Sequence, residues 1–521
     1  MNDAEKITPT DAASVHTTGD VELQKPDKTI NASGHVQELE RNYSLLSMCA
    51  VAIVIGNCWA IAGGLAIYNG GPPGFIYQLQ VYEPNIVSGI LYLFITASLA
   101  ELASAIPSAG GVYHWASVTP GRKIGRICGF FAGYWNSLAY MFGACSLAAV
   151  SSEGLVELYA LRHPGTKPKN WHIFVCYLVI IWLCVAILLF GNRLLPRINS
   201  VLMFLVIGGW FVTLIVVGVM STQGGRSHAS SDFVWKKWQN NTGYTSDGLV
   251  FVLGMLNGFF AIGTPDCTTH MSEEIKEPEH NIPKAMVIQM MSSFLTTLIY
   301  LIVIFYAISD FDTVLGSAET FFLAEIYHQA TGSLSGCIGL SIIVIVPVMG
   351  SSLGSMLTAS RVFWSLARDQ ATPFPDTFGH VSDKWKNPFA AILFTGCFAT
   401  VMGCIYLGSS TAFEAFVGSF VVLTTFSYLA ALLPFPFSGR KSVPAGPFFI
   451  KGTLGFAVNI VSCAFMTVWL VFYCFPYIYP VQAENMNYSS LIAGGLTIIL
   501  VGIWVFVQGV YESPPVVLKR D

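Results

Sequence analysis

The side chain with the clearest chemical potential is that of Asp266, which lies beside Pro265 within a long apolar stretch. An ionisable group inside a membrane is costly and is a candidate for function by default. A carboxylate at this place suits an amine or ammonium substrate, or a proton that is carried. The alternative is that Asp266 caps the N–H groups of a following half-helix, which would not exclude the binding role.

Two apolar stretches are interrupted at corresponding places in the chain. Glycine and proline weaken or break helical hydrogen bonding, and paired interruptions in two halves of a transporter point to its binding site near the middle of the membrane. We therefore predict that the following residues bind the substrate: Gly56, Asn57, Cys58, Trp59, Gly263, Thr264 and Asp266. The alternatives are a glycine packing contact in the first stretch and a simple proline kink in the second.

Aromatic rings and a second carboxylate extend this candidate site. Trp59, Trp135 and Tyr140 lie near the interruptions or within apolar stretches, and an aromatic face attracts a desolvated cation. We predict that they contribute to substrate binding, with ordinary packing as the alternative. Glu101 is a candidate for coupling or gating together with Asp266. It either accepts hydrogen bonds from unwound backbone or is a charge near the interface that reaches water.

Composition places these residues in a membrane protein. The chain has 521 residues, of which 54% are hydrophobic and only 11% are charged, and its mean hydropathy is +0.60. A soluble protein carries charge at about a quarter of its positions, so much of this apolar surface must face lipid. The net charge of −4 does not suggest a nucleic-acid partner.

The sequence lacks the motifs that are typical of disulfide frameworks, metal sites and ATP-binding sites. The 12 cysteines include no CxxC pair, so we expect neither a disulfide framework nor a metal site. No P-loop is present, which argues against direct use of ATP. We predict no catalytic residue and no cofactor.

A membrane span needs about 20 mostly apolar residues, and the chain contains about twelve such segments. They are 46–66, 86–106, 127–151, 172–191, 200–220, 249–270, 288–308, 335–360, 389–407, 412–434, 453–475 and 489–509. We predict an all-α polytopic domain over residues 41–511, preceded by a disordered cytosolic tail, residues 1–40, and followed by a short cytosolic tail, residues 512–521. Corresponding interruptions suggest inverted repeats over about 46–220 and 249–434, with two extra helices, 453–475 and 489–509.

Positive charge supports an even number of spans with both chain ends in the cytosol. Six of the 26 Lys and Arg residues fall in loops that this arrangement places outside, namely Arg162, Lys167, Lys169, Arg226, Lys236 and Lys237. The others fall on the cytosolic side, as the positive-inside rule requires. Two candidate glycosylation sequons, at Asn240 and Asn487, also fall in external loops.

Four motifs resemble the amino acid–polyamine–organocation permeases, most closely their fungal amino acid/choline transporter family. They are residues 100–113 (AELASAIPSAGGVY), residues 266–274 (DCTTHMSEE) with the later IPKAM at 282–286, residues 359–369 (ASRVFWSLARD) and residues 485–488 (NMNY). The resemblance covers roughly residues 40–510. It implies a leucine-transporter-like fold in which spans 1–5 and 6–10 are inverted repeats, with a substrate held at the breaks in spans 1 and 6 and flanked by spans 3 and 8.

The resemblance also implies small amines as substrates, such as choline, 4-aminobutyrate and polyamines. Two features depart from relatives. Span 1 carries Trp59 where small residues are common, and residues 200–220 contain no lysine, so the proton-coupling lysine of some bacterial relatives cannot be transferred.

These observations predict a secondary permease for a small amine-bearing or quaternary ammonium solute or an amino acid, in contact with the lipid bilayer and with a proton as a candidate co-transported ion. The plasma membrane is the expected location, with a vacuolar or other internal membrane as the alternative. Rival interpretations are an exporter or vacuolar carrier of a nitrogenous metabolite, a major-facilitator carrier, a membrane receptor and a membrane enzyme.

Overall fold

The computed structural model describes residues 32, 34–57, 68–79, 88–163, 165–316, 321–408, 410–476, 478–483 and 485–514. Within these residues helices predominate and strands are almost absent. The helices are α1 (Leu45–Gly56), α2 (Gly71–Leu79), α3 (Ser88–Ala105), α4 (Val112–Val118), α5 (Arg122–Arg162), α6 (Asn170–Phe190), α7 (Leu195–Met220), α8 (Ser231–Trp235), α9 (Asp247–Ile262), α10 (Pro278–Tyr306), α11 (Phe311–Gly316), α12 (Phe322–Thr331), α13 (Leu334–Arg368), α14 (Pro375–Phe378), α15 (Phe389–Gly408), α16 (Ser410–Leu432), α17 (Pro434–Phe437), α18 (Gly452–Phe472) and α19 (Ser489–Val507).

Short elements complete the list. Two 3-10 turns cover Asn192–Leu194 and Thr269–Glu274, and strands β1 (Asn69–Gly70) and β2 (Gln239–Asn240) pair antiparallel. This pairing joins the chain ahead of α2 to the link between α8 and α9.

The helices have the length and composition that a membrane requires. Among the described residues, nine helices are long and apolar enough to cross it, and three shorter apolar helices, α1, α3 and α9, lie at predicted spans 1, 2 and 6. Large apolar side chains face outward, for example Val179 at 62%, Phe204 at 67% and Phe506 at 85% exposure. Exposed apolar surface of this kind marks a contact with lipid or with another protein, and the length and hydropathy of these helices favour lipid. The predicted all-α polytopic fold is confirmed.

Some helices are longer than the predicted spans. Predicted span 3 covers residues 127–151, whereas α5 runs through 41 residues. Predicted span 8 covers residues 335–360, whereas α13 runs through 35. A hydropathy window marks only the part inside the hydrocarbon layer, and the helical hydrogen bonding continues beyond it.

The packing pairs helices that lie five spans apart. Helix α3 packs on α10, α5 on α13 and α6 on α15, which are spans 2, 3 and 4 against spans 7, 8 and 9. Likewise α1 packs on α7 and α9 on α16, the equivalent contacts of spans 1 with 5 and 6 with 10. An internal repeat related by a pseudo-twofold axis brings equivalent helices together in this way.

The chain before α1 is partly ordered against the helices. The Gln37 side-chain amide donates to the carbonyl oxygens of Leu39 and Glu273 at 3.1 and 3.2 Å, and the Tyr43 N–H donates to the Glu274 carbonyl at 3.0 Å. Polar contacts with the helical domain are therefore present from His35 onward, before the boundary expected at residue 41. Residues 1–31 and 33 of the predicted tail, and residues 515–521 at the other end, lie outside the described residues.

The structure separates the two sequons. Asn487 is only 2% exposed, and its amide donates to the carbonyl oxygens of Tyr473 at 2.7 Å and Phe475 at 2.9 Å. A buried amide with both protons engaged cannot accept a glycan in this fold, so the prediction for Asn487 is wrong. Asn240 is half-buried in β2 and stays a candidate.

Candidate functional site

The interruption in span 6 is a strained loop held by a neighbouring helix. Helix α9 ends at Ile262, and no regular helix resumes until the 3-10 turn that begins at Thr269. Thr264 adopts a φ of +102°, which is a genuine outlier for a β-branched residue. The Gln289 side-chain amide on α10 donates to the carbonyl and the hydroxyl of Thr264 at 3.0 and 3.1 Å. These contacts give the Thr264 carbonyl, which the break exposes, a hydrogen-bond partner.

Asp266 lies in this loop, and its side chain is 0% exposed. Its Oδ1 accepts hydrogen bonds from the hydroxyls of Tyr140, at 2.6 Å, and Tyr428. Its Oδ2 accepts from the Asn136 amide at 2.9 Å and lies 3.1 Å from Nε2 of His270. These partners come from α5, α16 and the 3-10 turn, so three elements converge on one carboxylate.

The hydrogen-bond partners of Asp266 differ from those of a helix cap. A helix cap would place the carboxylate on backbone N–H groups, but the hydrogen bonds that the described residues give it all come from side chains. The carboxylate instead lies at a junction between α5, α16 and the 3-10 turn. Such a position is where a binding site in a transporter of this kind is expected.

His270 links Asp266 to a second motif. Its Nδ1 lies 3.1 Å from the carbonyl oxygen of Ala109. Gly111, with a φ of +49°, leaves room for this ring, because an added Cβ would lie 2.6 Å from Cε1 of His270. Two motifs that are far apart in sequence, residues 100–113 and 266–274, therefore meet at the break in span 6.

The interruption in span 1 is supported by the same helix. Helix α1 ends at Gly56, and the Ser293 hydroxyl on α10 donates to its carbonyl oxygen at 2.8 Å. A Cβ at Gly56 would lie 2.5 Å from Nε2 of Gln289, so glycine makes room for the side chain that holds Thr264. Helix α10 thus contacts both interruptions.

The next residue, Asn57, faces α10 rather than Asp266. Its Oδ1 accepts a hydrogen bond from the Thr296 hydroxyl at 2.6 Å. It also lines a mainly apolar cavity of about 220 Å³ with Trp210 on α7 and Thr296. Cys58 and Trp59 lie outside the described residues, and their predicted binding roles stay predictions.

The structure brings some predicted residues together and separates others. Gly263, Thr264, Asp266 and Tyr140 lie in or beside the break. Trp135 does not: its Nε1 donates to the Thr497 hydroxyl at 3.1 Å, and its ring centroid is 5.2 Å from that of Phe426. It therefore packs between α5, α16 and α19.

Glu101 is 1% exposed, so the interpretation as a charge that reaches water is wrong. Its carboxylate accepts hydrogen bonds from Arg440 at 2.5 Å, from the Ile450 N–H at 2.8 Å and from the Asn459 amide at 3.1 Å. The backbone partner belongs to the link between α17 and α18, not to an unwound span. A role in coupling or gating stays a prediction.

Sequence reasoning missed Asn136, Tyr428 and Gln289 as members of the site. His270 stood in a quoted motif four residues after Asp266, and that spacing was a usable signal. Asn136, Tyr428 and Gln289 gave no such signal, because each lies in a regular apolar helix. Their hydrogen-bond partners are 25 to 162 residues away in the sequence and come close only when the helices pack.

A network of charges lies beyond the break. Arg361 Nε donates to Glu274 at 2.9 Å, with both side chains 1% exposed, and Arg368 Nη1 donates to Glu273 at 2.9 Å. Asp369 accepts from the Tyr113 hydroxyl at 2.8 Å and lies 2.5 Å from His35. The end of α13, the 3-10 turn, the start of α4 and the segment before α1 therefore meet there.

Comparisons with known proteins agree with this architecture. A family model described as "Amino acid permease" matches residues 43–503. The chain is 30% identical over 481 residues to the choline transporter of Saccharomyces cerevisiae, covering 91% of this chain and 83% of that protein. It is 26% identical to the GABA-specific permease of the same yeast, over 94% of this chain and 85% of that protein. It is also 26% identical to the swainsonine transporter of Arthroderma benhamiae, over 93% and 91%.

Proposed function

The chain belongs to the amino acid permease family, and from that premise we propose that it carries a small amine-bearing or quaternary ammonium solute by alternating access. The family and the apolar helices make it an integral multi-pass membrane permease. Choline, 4-aminobutyrate, a polyamine and an amino acid are the candidate substrates. Relatives that carry choline and GABA support this class.

One observation carries the proposal: a fully buried carboxylate, Asp266, lies at the break in span 6. Tyr140 and Tyr428 place their phenol groups on it from two different helices. Negative charge with aromatic surface is the combination that recognises a desolvated cation. In the proposed binding state the ammonium group of the substrate becomes a partner of Asp266.

The positions of lysine and arginine in the sequence support the same class of substrate. None of the twelve predicted spans contains lysine or arginine. An anionic substrate such as a dicarboxylate or a phosphate would need such a partner, since burying an unpaired charge is prohibitive. Helix ends at the two breaks can still bind the carboxylate of a zwitterion, so 4-aminobutyrate and amino acids stay in the proposed range.

The second candidate is export or vacuolar storage of a nitrogenous metabolite. The relative that transports swainsonine favours it. Both candidates use the same site, and they differ in the direction of net flux and in the membrane that holds the protein. We propose the plasma membrane, with both chain ends in the cytosol. Tags near the two ends should then be inaccessible to antibody in intact cells, and surface labelling of either tag would contradict this orientation.

The substrate class is tested by competition in reconstituted vesicles. Choline, spermidine, 4-aminobutyrate, a neutral sugar and a dicarboxylate are each offered against a labelled ammonium compound. We expect competition from the first three compounds and none from the last two. Competition from only the sugar or the dicarboxylate would overturn the proposal, whatever the fold.

A further inference from the structure

His270 lies between two groups that face it as hydrogen-bond acceptors. Its Nδ1 is 3.1 Å from the carbonyl oxygen of Ala109, and its Nε2 is 3.1 Å from Oδ2 of Asp266. A carbonyl has no proton to give, so Nδ1 must carry one. The side chains of His270 and Asp266 are both 0% exposed, which seals these contacts from bulk water.

The second contact requires one more proton. A neutral ring with its proton on Nδ1 presents a bare Nε2, and a bare nitrogen beside an ionised carboxylate would place two acceptors in contact. Either Nε2 of His270 is protonated as well, or Oδ2 of Asp266 carries the proton. In both cases the two side chains share one proton and together have no net charge.

The side chains around this pair are groups that are ordinarily uncharged at neutral pH. The hydroxyls of Tyr140 on α5 and Tyr428 on α16 donate to Asp266, and the buried thiol of Cys267 follows it in the chain. Phenols and thiols titrate well above neutral pH in their ordinary state. Within the described surroundings of the pair, Asp266 and His270 are therefore the groups that bear charge at neutral pH.

We propose that Asp266 and His270 form one proton-binding site, and that its proton and the positive charge of the substrate exclude each other. This inference rests on the proposed function, because it takes Asp266 as the partner of the substrate's cationic group. A buried site holds one neutral arrangement far more readily than an unpaired charge. When the ammonium group enters, the shared proton passes to the solution, His270 keeps its proton on Nδ1, and Asp266 pairs with the substrate.

The exchange has a defined thermodynamic consequence. One proton leaves for each cation bound, so lowering the proton concentration favours binding, and binding of the cation favours release of the proton to the same extent. While the pair holds its proton, the apparent affinity for the cation rises about tenfold per pH unit. A proton gradient directed against the substrate would then drive its transport.

The shared proton is tested without any substrate. Nitrogen-15 spectra of labelled histidines in the purified protein are compared with those of His270→Gln, which identifies the His270 signal among the ten histidines. Infrared spectra of the protein and of Asp266→Asn identify the Asp266 carboxyl. We expect at neutral pH either a doubly protonated His270 ring or a protonated Asp266 carboxyl. A neutral ring beside an ionised carboxylate would overturn the proposal.

The exclusion is tested by binding of choline and spermidine between about pH 5.5 and about pH 7.5, the range in which histidine ordinarily titrates. We expect affinity to rise with pH in the wild type. His270→Gln removes one of the two groups that share the proton, so we expect the dependence of affinity on pH to change in slope or midpoint. A dependence identical to that of the wild type would overturn the shared site. The control is His280→Gln at an exposed position, which should behave as the wild type.

Two failures are distinguishable. Binding that is independent of pH in the wild type would overturn the exclusion of proton and cation while leaving the proposed function in place. Failure of both compounds to bind would count against the proposed function, and the spectra alone would then decide whether the pair shares a proton.

Discussion

In the proposed site, one buried carboxylate, that of Asp266, receives the cationic group of the substrate. Asp266 lies in a segment where an unpaired charge is not tolerated, and donors from α5 and α16 together with His270 stabilise it. Asp266 meets these donors from the segment between Ile262 and Thr269, where the backbone is not a regular helix. The irregular backbone costs conformational energy at Thr264, and Gln289 offsets part of that cost through two hydrogen bonds.

Gly56 should not tolerate a side chain. A Cβ there would lie 2.5 Å from Nε2 of Gln289, and Gln289 cannot withdraw without releasing Thr264. Overpacking costs about 1–3 kcal/mol, so we expect Gly56→Leu to reduce transport by about tenfold or more with insertion unchanged. Gly494→Leu on α19 is the control, because its Cβ would meet no described atom within 4 Å. Full activity of Gly56→Leu would contradict this prediction and show that Gly56 is an ordinary packing position.

His114 on α4 should make the fold sensitive to acid. Burial lowers the pKa of His114 from 6.5 to about 4, opposed by Asp369 and reinforced by Arg368 and His35. The unfolded chain takes up a proton below about pH 6.5 and the folded chain only below about pH 4, so stability is lost as the pH falls through this window. The loss amounts to about 3 kcal/mol.

This effect is measured by thermal unfolding of the purified protein between about pH 7.5 and about pH 4.5, a range that runs from above the ordinary pKa of histidine to below it. His114→Phe replaces a ring whose two nitrogens have no hydrogen-bond partner among the described residues. We expect the variant to lose less stability on acidification than the wild type. Equal losses in the two proteins would contradict the burial argument.

At the scale of elements, α10 is the common support of both interruptions. It provides Ser293 to the end of α1 and Gln289 to the loop after α9. The breaks themselves were predictable from Gly56, Gly263 and Pro265, because these residue types interrupt a helix locally. The twelve apolar segments were predictable for a similar reason, since hydropathy is a local property.

The partners of Asp266 were not predictable in the same way. Nothing local to Asn136 or Tyr428 shows that α5 and α16 converge on span 6. Trp135, one residue before Asn136, was favoured for its aromatic ring, but the helical turn directs it toward α19. A step of one residue turns a side chain by about 100° around the helix, and sequence alone does not give that orientation relative to the site.

The ion pair between the 3-10 turn and α13 should be a major source of stability. Arg361 and Glu274 have side chains that are 1% exposed, so Glu274→Ala leaves a buried, unpaired guanidinium. Removing one partner of such a pair costs about 3–5 kcal/mol. We expect a large drop in the melting temperature of the purified protein.

The matched control is the pair Glu40–Arg193, in which the arginine side chain is 74% exposed. Glu40→Ala should cost less than about 1 kcal/mol. Melting temperatures that fall equally in Glu40→Ala and Glu274→Ala would show that burial does not set the contribution of these pairs.

At the scale of the whole molecule, the interrupted helices divide the permease into two ends. Toward one end, the segment before α1, the turn after span 6 and the end of α13 are joined by His35, Gln37 and the charge network. Toward the other, β1 and β2 join the chain after span 1 to the link before span 6. In the proposed alternating access, these two sets of contacts open in turn around Asp266.

The central claim is that Asp266 supplies the negative charge for a cationic substrate, and binding of labelled choline to purified variants tests it most directly. We expect Asp266→Asn to fold and insert normally but to lose choline binding by about a hundredfold or more, as expected when a buried charge loses its partner. Asp376→Asn, at an exposed aspartate on α14, should bind as the wild type does. Affinity near that of the wild type in Asp266→Asn would contradict the account.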